Sequence, residues 1–319
     1  MHFVKTRDRV EPVYAAEYGG ALADHLPMAL SALARMGAGE QRRQAYQREY
    51  VRAKGLRILG ADEPERQARL AMRERIESEG RTNVLRDELS SLARGIGAGA
   101  FHALIRVAYG IADENDTEIA AGLIYWRAVA FDIGAAASAR DDRHFDVSLA
   151  LDLARAQLGH LSDTLGDGLI AERMATVSAN PAFDAALGHP HFNEDSLAKI
   201  AAVTVRAFAA TRNFTLLHAM TAAHALRIVL PFAGNREALL QAFWRAYVAA
   251  YISAGAPALP EDESFASDLA CAPEWEALLE HATASPDEHV VKAAYTAWSE
   301  DTIYHDPLYR VATARYLKF

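Results

Sequence analysis

Apolar residues recur at helical spacing along nearly the whole chain, and the alternation that marks a half-buried strand is almost absent. Glycine and proline fall mostly between the periodic segments, and alanine, leucine and arginine fill them. This pattern predicts an all-α protein. The spacing predicts helices over 25–36, 46–59, 64–79, 83–93, 100–112, 116–133, 145–158, 195–211, 214–230, 237–253 and 274–281. The first of these has Asp24 as cap, Pro27 in its first turn and Gly37 as its stop. The segment 214–230 is the most apolar and ends at Pro231. The stretch 159–193 is punctuated by glycine and proline and is the one candidate seam, but 319 residues with 51% hydrophobic content suit a single large helical domain over 1–319.

The net charge of -9 argues against a general nucleic-acid binder. The most basic stretch, 41–57, holds Arg42, Arg43, Arg48, Arg52, Lys54 and Arg57, and acidic residues follow it closely, so it reads as a solvated, peripheral helix face. A single cysteine, Cys271, excludes an intramolecular disulfide and a thiolate-rich metal site. No apolar run follows a basic start, and none approaches the ~20 residues of a membrane span, so a cytoplasmic protein is expected. Nothing indicates an oligomeric state.

The segment 285–298 concentrates the chemistry. Ser285 is placed to cap a helix, Pro286 suits its first position, and Asp287 and Glu288 suit the positive end of its dipole. Val290, Val291, Ala293, Ala294, Tyr295 and Trp298 then make it apolar, with His289 and Lys292 one turn apart on one face. Two readings stay open. Glu288 and Lys292 form a surface ion pair with His289 exposed, or His289 and Lys292 point into a polar site within a helical core. Lysine occurs only at 5, 54, 199, 292 and 318 while arginine is plentiful, which makes a lysine in an apolar helix conspicuous.

Partners for that pair exist. His25, His102, His218, His224 and His289 all lie in apolar helical segments. Any one alone reads as a hydrogen-bonded core histidine, but together they suggest a metal centre, since neutral imidazole is the commonest metal ligand. His144, His160, His189, His191, His281 and His305 have polar or turn-like surroundings and form the background, although His189-Pro190-His191 has the form of a clasp in a loop. Imidazoles without thiolates suit iron, zinc, copper or nickel. The Glu-x-x-His pairs of di-iron bundles are missing from these helices, and His-Glu-x-x-His is missing too. A mononuclear centre therefore needs an anionic ligand from elsewhere. A buried lysine loses its proton readily, and its neutral amine can add carbon dioxide to form a carbamate. His218 and His224 stand ~120° and ~9 Å apart on an ideal helix, so a regular helix does not bring both to one ion. An echo between 102–106 with Tyr125-Trp126-Arg127 and 224–227 with Phe243-Trp244-Arg245 favours His224, and a duplicated helical hairpin would explain it. The choice between them stays open.

Gly95-Ile-Gly97-Ala-Gly99-Ala100 matches a dinucleotide fingerprint in form, but a helix precedes it where a strand is required, so it reads as a tight interhelical turn. Phe101, Tyr109, Tyr125, Trp126, Phe214, Tyr295 and Trp298 share segments with the histidines. They read either as core or as a flat apolar pocket for a polycyclic aromatic ligand, with Arg106 or Arg227 to meet its oxygens.

In order along the chain, Asp24-His25-Leu26-Pro27-Met28-Ala29-Leu30, Phe101-His102-Ala103-Leu104-Ile105-Arg106, Ala121-Gly122-Leu123 with Tyr125-Trp126, Leu217-His218-Ala219-Met220-Thr221, His224-Ala225-Leu226-Arg227 and Asp287-Glu288-His289-Val290-Val291-Lys292 resemble the questin oxidase-like family. The resemblance implies a helical oxygenase with a central cavity lined by histidines, opening anthraquinone rings of polyketide pathways by Baeyer–Villiger-type or dioxygenase cleavage. It implies a non-haem Fe(II) held by His25, His102, His218 or His224, and His289, with a carboxylated Lys292, leaving one octahedral position open. Dioxygen and a small aromatic molecule are the implied partners. NADPH is used by some members, and no motif for it is read here. The charge of 42–79 and the short chain depart from the family pattern and bear on the substrate more than on the metal. Two further readings are a metal-dependent hydrolase on the same scaffold and a metal-free helical protein that binds an aromatic ligand.

Overall fold

The computed structural model describes residues 12–134, 147–187, 192–193 and 195–319. Lys5, His144, Phe145 and the His189-Pro190-His191 clasp lie outside them. Strands β1 (Glu17–Tyr18) and β2 (Leu22–Ala23) pair antiparallel and lead directly into helix α1 (Leu26–Arg35). Then follow α2 (Glu40–Lys54), α3 (Pro64–Glu79), α4 (Arg81–Leu92), α5 (His102–Ala112), α6 (Asp116–Val129) and α7 (Val147–Leu158). The rest of the chain forms α8 (Ile170–Ser178), α9 (Phe183–Leu187), α10 (Ser196–Thr211), α11 (Phe214–Val229), α12 (Arg236–Ser253), α13 (Ala266–Cys271), α14 (Trp275–Ala284), α15 (Glu288–Tyr304) and α16 (Leu308–Leu317). Among the described residues the fold is all-α apart from the two-stranded hairpin and an isolated bridge between Tyr14 and Ile58.

Departures from the expected bounds have local causes. Helix α2 starts six residues before Tyr46, because Glu40 to Gln44 are strong helix formers that need no apolar stripe, and Gly55 in a left-handed conformation ends it before 59. Helix α6 stops at Val129 because the Ile133 N–H donates to the Arg94 carbonyl and turns the chain aside. Helices α8, α9, α13 and α16 and the hairpin were not expected; α9, α13 and the hairpin strands are too short to show a full periodic stripe.

Helix α11 lies against α5, α10, α12 and α15. With the turn that follows, 19 residues from Phe214 to Phe232 are long and apolar enough to cross a membrane by length and composition alone, contrary to expectation. That window is 78% buried inside the protein, as a central core helix is. One continuous buried core gathers residues from Ala16 to Ala312, each full burial of a Leu, Val or Phe contributing about 1.5–3 kcal/mol. Within it α1, α5, α11 and α15 make a closed ring in which each helix packs on the next. Helices α5 and α6 approach closely through Gly122, where a Cβ would stand 2.7 Å from Val107 Cγ2 and 2.8 Å from its backbone nitrogen.

Candidate metal centre

The four helices of that ring each deliver one histidine to a common point. His25 itself is the N-cap of α1, where Asp24 was expected; Asp24 Oδ1, one residue earlier, accepts the Leu26 N–H at 2.9 Å. The His25 N–H donates to the Tyr50 hydroxyl of α2 at 3.0 Å. His102 opens α5 behind a sharp turn in which Gly99, Ala100 and Phe101 all have positive φ, of 53°, 56° and 68°. Two of these three are not glycine, so the turn stores strain. Gly99 is also required sterically, since a Cβ there would lie 2.8 Å from the Tyr125 hydroxyl. The Gly95–Gly99 run is thus an interhelical turn, and it places the Gly99 carbonyl 2.5 Å from His102 Nδ1. His218 sits in the first turns of α11 with Nδ1 donating to the Phe214 carbonyl at 2.7 Å. His289 lies in the first turn of α15. The cap of that helix is Asp287 rather than Ser285: Asp287 Oδ1 accepts the His289 N–H at 2.8 Å, and Ser285 Oγ accepts the Asp287 N–H at 3.1 Å. Asp287 itself is extended, which delays the helix by a residue or two.

The imidazoles close a ring. Centroid distances are 4.4 Å for His25–His102, 4.8 Å for His102–His218, 5.4 Å for His218–His289 and 4.7 Å for His289–His25. Nitrogens of His25, His102 and His289 lie within 4.8 Å of one another. His25 Nδ1 and His102 Nε2 are buried without a hydrogen-bond partner. With backbone carbonyls on Nδ1 of His102 and His218, the opposite nitrogens carry the free lone pairs, as in histidines that hold a metal. Phe214, about half exposed, stands edge-on to His218 at 4.5 Å and His289 at 4.6 Å, covering one side.

Lys292 is 1% exposed, one turn after His289. The surface pair with Glu288 does not form; Glu288 is itself buried and bonds Lys54 of α2 at 2.7 Å. Burial lowers the Lys292 amine to about 7, although Glu288, Asp287 and Asp24 pull the other way. Burial, then neighbouring positive charge from Lys292 and the other imidazoles, pushes His25, His102 and His218 well below the ordinary histidine value. His289 is also lowered by burial, with the Asp287 hydrogen bond opposing. At neutral pH the imidazoles are unprotonated and able to ligate.

The other anticipated residues lie elsewhere. His224 is outside the ring and bonds Glu300 Oε1 through Nδ1 at 2.6 Å, so of the two histidines of α11 it is His218 that joins the cluster. His102 opens its helix while His224 lies in the middle of one, so the echo between their segments does not place the two side chains alike. Arg106 is buried and paired with Glu118 at 2.9 Å, and Arg227 grips Glu300. Tyr125 donates to Glu17 at 3.0 Å, and Trp126, fully buried, donates its N–H to the Gly95 carbonyl at 2.8 Å. None of these hydrogen bonds reaches the four-histidine ring.

Sequence reasoning missed the supports. The stretch 41–57 is more than a solvated face. Tyr46 and Tyr50 of α2 are buried, Arg42 donates to the Thr283 and Ser285 carbonyls at 2.8 and 2.7 Å, and Lys54 holds Glu288. Two buried tyrosines one turn apart in a charged helix were the available signal.

A family model described as questin oxidase-like matches residues 22–297. The match runs from just before His25 to just after Lys292. No curated protein matches the chain.

Proposed function

The chain belongs to the questin oxidase-like family, and from that premise we propose that it is a mononuclear non-haem iron oxygenase that uses dioxygen to cleave a carbon–carbon bond in a polycyclic, anthraquinone-like substrate. The reading rests on the closed ring of four imidazoles with two buried, unpartnered nitrogens. A buried polar atom without a partner costs about 1–3 kcal/mol, and a cation between the rings removes that cost. The donors are imidazole, with no thiolate among them, which suits iron. His25, His102, His218 and His289 are the proposed protein ligands.

Lys292 completes the set as a carbamate. Its neutral amine attacks the carbon of carbon dioxide, an N–C bond forms, one C=O bond opens to a carboxylate oxygen, and the nitrogen releases a proton. A buried cation is thereby exchanged for an anion beside the metal, which reverses the electrostatic cost of burying Lys292. Bound iron supplies the redox chemistry that dioxygen requires. The protein's own residues hold the ring and keep it dry. The Gly99 and Phe214 carbonyls fix two imidazoles, Asp287 steadies a third, and Tyr50 anchors the backbone of the fourth. The Phe214 ring shields the cluster from water and offers an aromatic face to a flat substrate.

The test is metal content by plasma mass spectrometry on protein without a histidine tag, wild type beside His102→Ala and Lys292→Ala. About one iron per chain, lost in both variants, is expected, together with oxygen uptake on a hydroxyanthraquinone. A wild type that takes up no stoichiometric metal after anaerobic Fe(II) reconstitution would sink the proposal and leave the histidines as core residues.

A further inference from the structure

A second polar site lies along the same helices and shares no side chain with the four histidines. On α15, His289, Lys292, Thr296 and Glu300 fall on one face, and on α5 His102 and Tyr109 do the same. Six residues past His218, His224 of α11 donates Nδ1–H to Glu300 Oε1 at 2.6 Å. Arg227 grips the same carboxylate, with Nε at 3.0 Å and Nη2 at 2.6 Å from Oε1. Burial works against ionising Glu300, but these bonds outweigh it and hold its carboxyl below the ordinary range. A carboxylate on Nδ1 fixes the neutral imidazole in the tautomer whose Nε2 is a bare lone pair. Glu300 is therefore a positioning residue for His224.

What His224 is positioned for follows from its surroundings. Its Nε2 is buried and has no partner. The Tyr109 hydroxyl lies within hydrogen-bonding reach of the Thr296 hydroxyl, and among the described residues neither has another side-chain partner. The Tyr109 and His224 rings are 6.4 Å apart, and Tyr295 is 5.7 Å from each. The unpartnered His224 nitrogen, with a hydroxyl pair nearby that has one proton to spare, calls for a ligand. A ligand that donates to the ring nitrogen and accepts from one hydroxyl has the chemistry of a hydroxyl group. The charged and titratable groups about the site are Glu300 and Tyr295 from α15, Tyr109 from α5 and Arg227 from α11, with Tyr304 and Tyr309 beyond Glu300. Tyr295 also meets Arg35 of the Arg35–Asp113 pair, whose side chains are each 35% exposed, so the site lies one residue from solvent.

We infer that His224, oriented by Glu300, accepts the proton of a phenolic hydroxyl on the aromatic substrate, while the Tyr109–Thr296 hydroxyl pair donates one hydrogen bond to the oxygen that is left. The inference rests on the substrate class proposed above. The phenol O–H bond breaks, its proton forms an N–H bond at Nε2, and its electron pair stays on oxygen. The imidazolium is balanced by Glu300, and no oxidant takes part. The phenolate is the electron-rich form of the ring, the form an oxygenase would attack.

The probe is 2-hydroxyanthraquinone, whose hydroxyl is free of an internal bond to the quinone carbonyl and whose phenolate absorbs at longer wavelength than the phenol. Absorbance of the bound probe is titrated against pH anaerobically, with iron content and melting temperature measured on the same samples. In wild type the ionisation midpoint of the bound probe should fall about one to two pH units below that of free probe. His224→Gln and Glu300→Gln should abolish that shift with iron content unchanged, and Tyr109→Phe, which removes one donor and no charge, should reduce it. Probe that binds wild type but stays neutral, or ionises equally in His224→Gln, overturns the inference and leaves the oxygenase reading standing. Probe that binds neither wild type nor variants overturns both.

Discussion

A buried amine beside three buried imidazoles is costly until something balances it, and the cost can be read from pH. Lys292 has an amine lowered from 10.5 to about 7 by burial. Its folded value lies below its unfolded value, so the penalty is complete below pH 7 and fades as pH rises from 7 to 10.5. A shift of that size amounts to about 5 kcal/mol. In metal-free protein, Lys292→Met should therefore raise stability by a few kcal/mol, most at or below pH 7 and little near 10.5, as read by urea denaturation across that range. The same variant should lose iron; a variant that gains no stability would show that the amine is already neutralised. The imidazoles add a second slope. With His25, His102 and His218 held well below 6.5, the unfolded chain takes up protons that the native state refuses. Metal-free protein should thus lose stability as pH falls below about 6.5, by up to ~4 kcal/mol per pH unit for three protons. At this scale the sequence displayed the histidines and hid their partners. The ~120° between His218 and His224 said that they diverge, but not where each goes: His218 bonds the Phe214 carbonyl, and His224 bonds Glu300, 76 residues away.

Elements set the directions in which these side chains point, and α15 carries the densest set. Its first turn is organised by Asp287, which caps the helix through the His289 N–H and lies 3.3 Å from His289 Nδ1. Asp287→Ala should cost about 1 kcal/mol as a lost cap and also free the His289 ring, so that iron affinity falls together with stability in a metal titration. Ser285→Ala, which touches only the Asp287 N–H, should leave affinity unchanged. The α5–α6 contact is set by a different means. A methyl at Gly122 would fall within 2.8 Å of Val107, and the helix cannot move aside without displacing His102 at its start. Gly122→Ala should cost about 1–3 kcal/mol as overpacking. The long helices were legible because their apolar faces repeat over several turns, and α3 spans 64–79 as the spacing predicted. The shortest, α9 and α13, are too brief for any periodic pattern to announce them and owe their helicity to packing.

Across the whole molecule, the proposed ligands come from positions 25, 102, 218 and 289, and the parts that brace them come from further afield still. Charged α2 reaches the site through Tyr50 on His25, Lys54 on Glu288 and Arg42 on the loop before α15. Its charge pattern suggested a periphery because side-chain reach across 234 residues leaves no trace in local composition. A site assembled from segments so distant exists only when the fold does, so an ion that binds it binds the native state alone. Iron should then stabilise the protein by about 2.7 kcal/mol at a free concentration a hundredfold above its dissociation constant, and a chelator should lower the melting temperature reversibly. The size of that shift separates the two polar sites. His102→Ala should abolish it, because it removes a ring nitrogen from the cluster. His224→Gln should keep it in full even where the starting stability is lower, because His224 answers to Glu300 and lies outside the ring. If both variants lose the iron-dependent shift, the two sites act as one and His224 belongs to the metal's support; if neither does, the metal sits elsewhere.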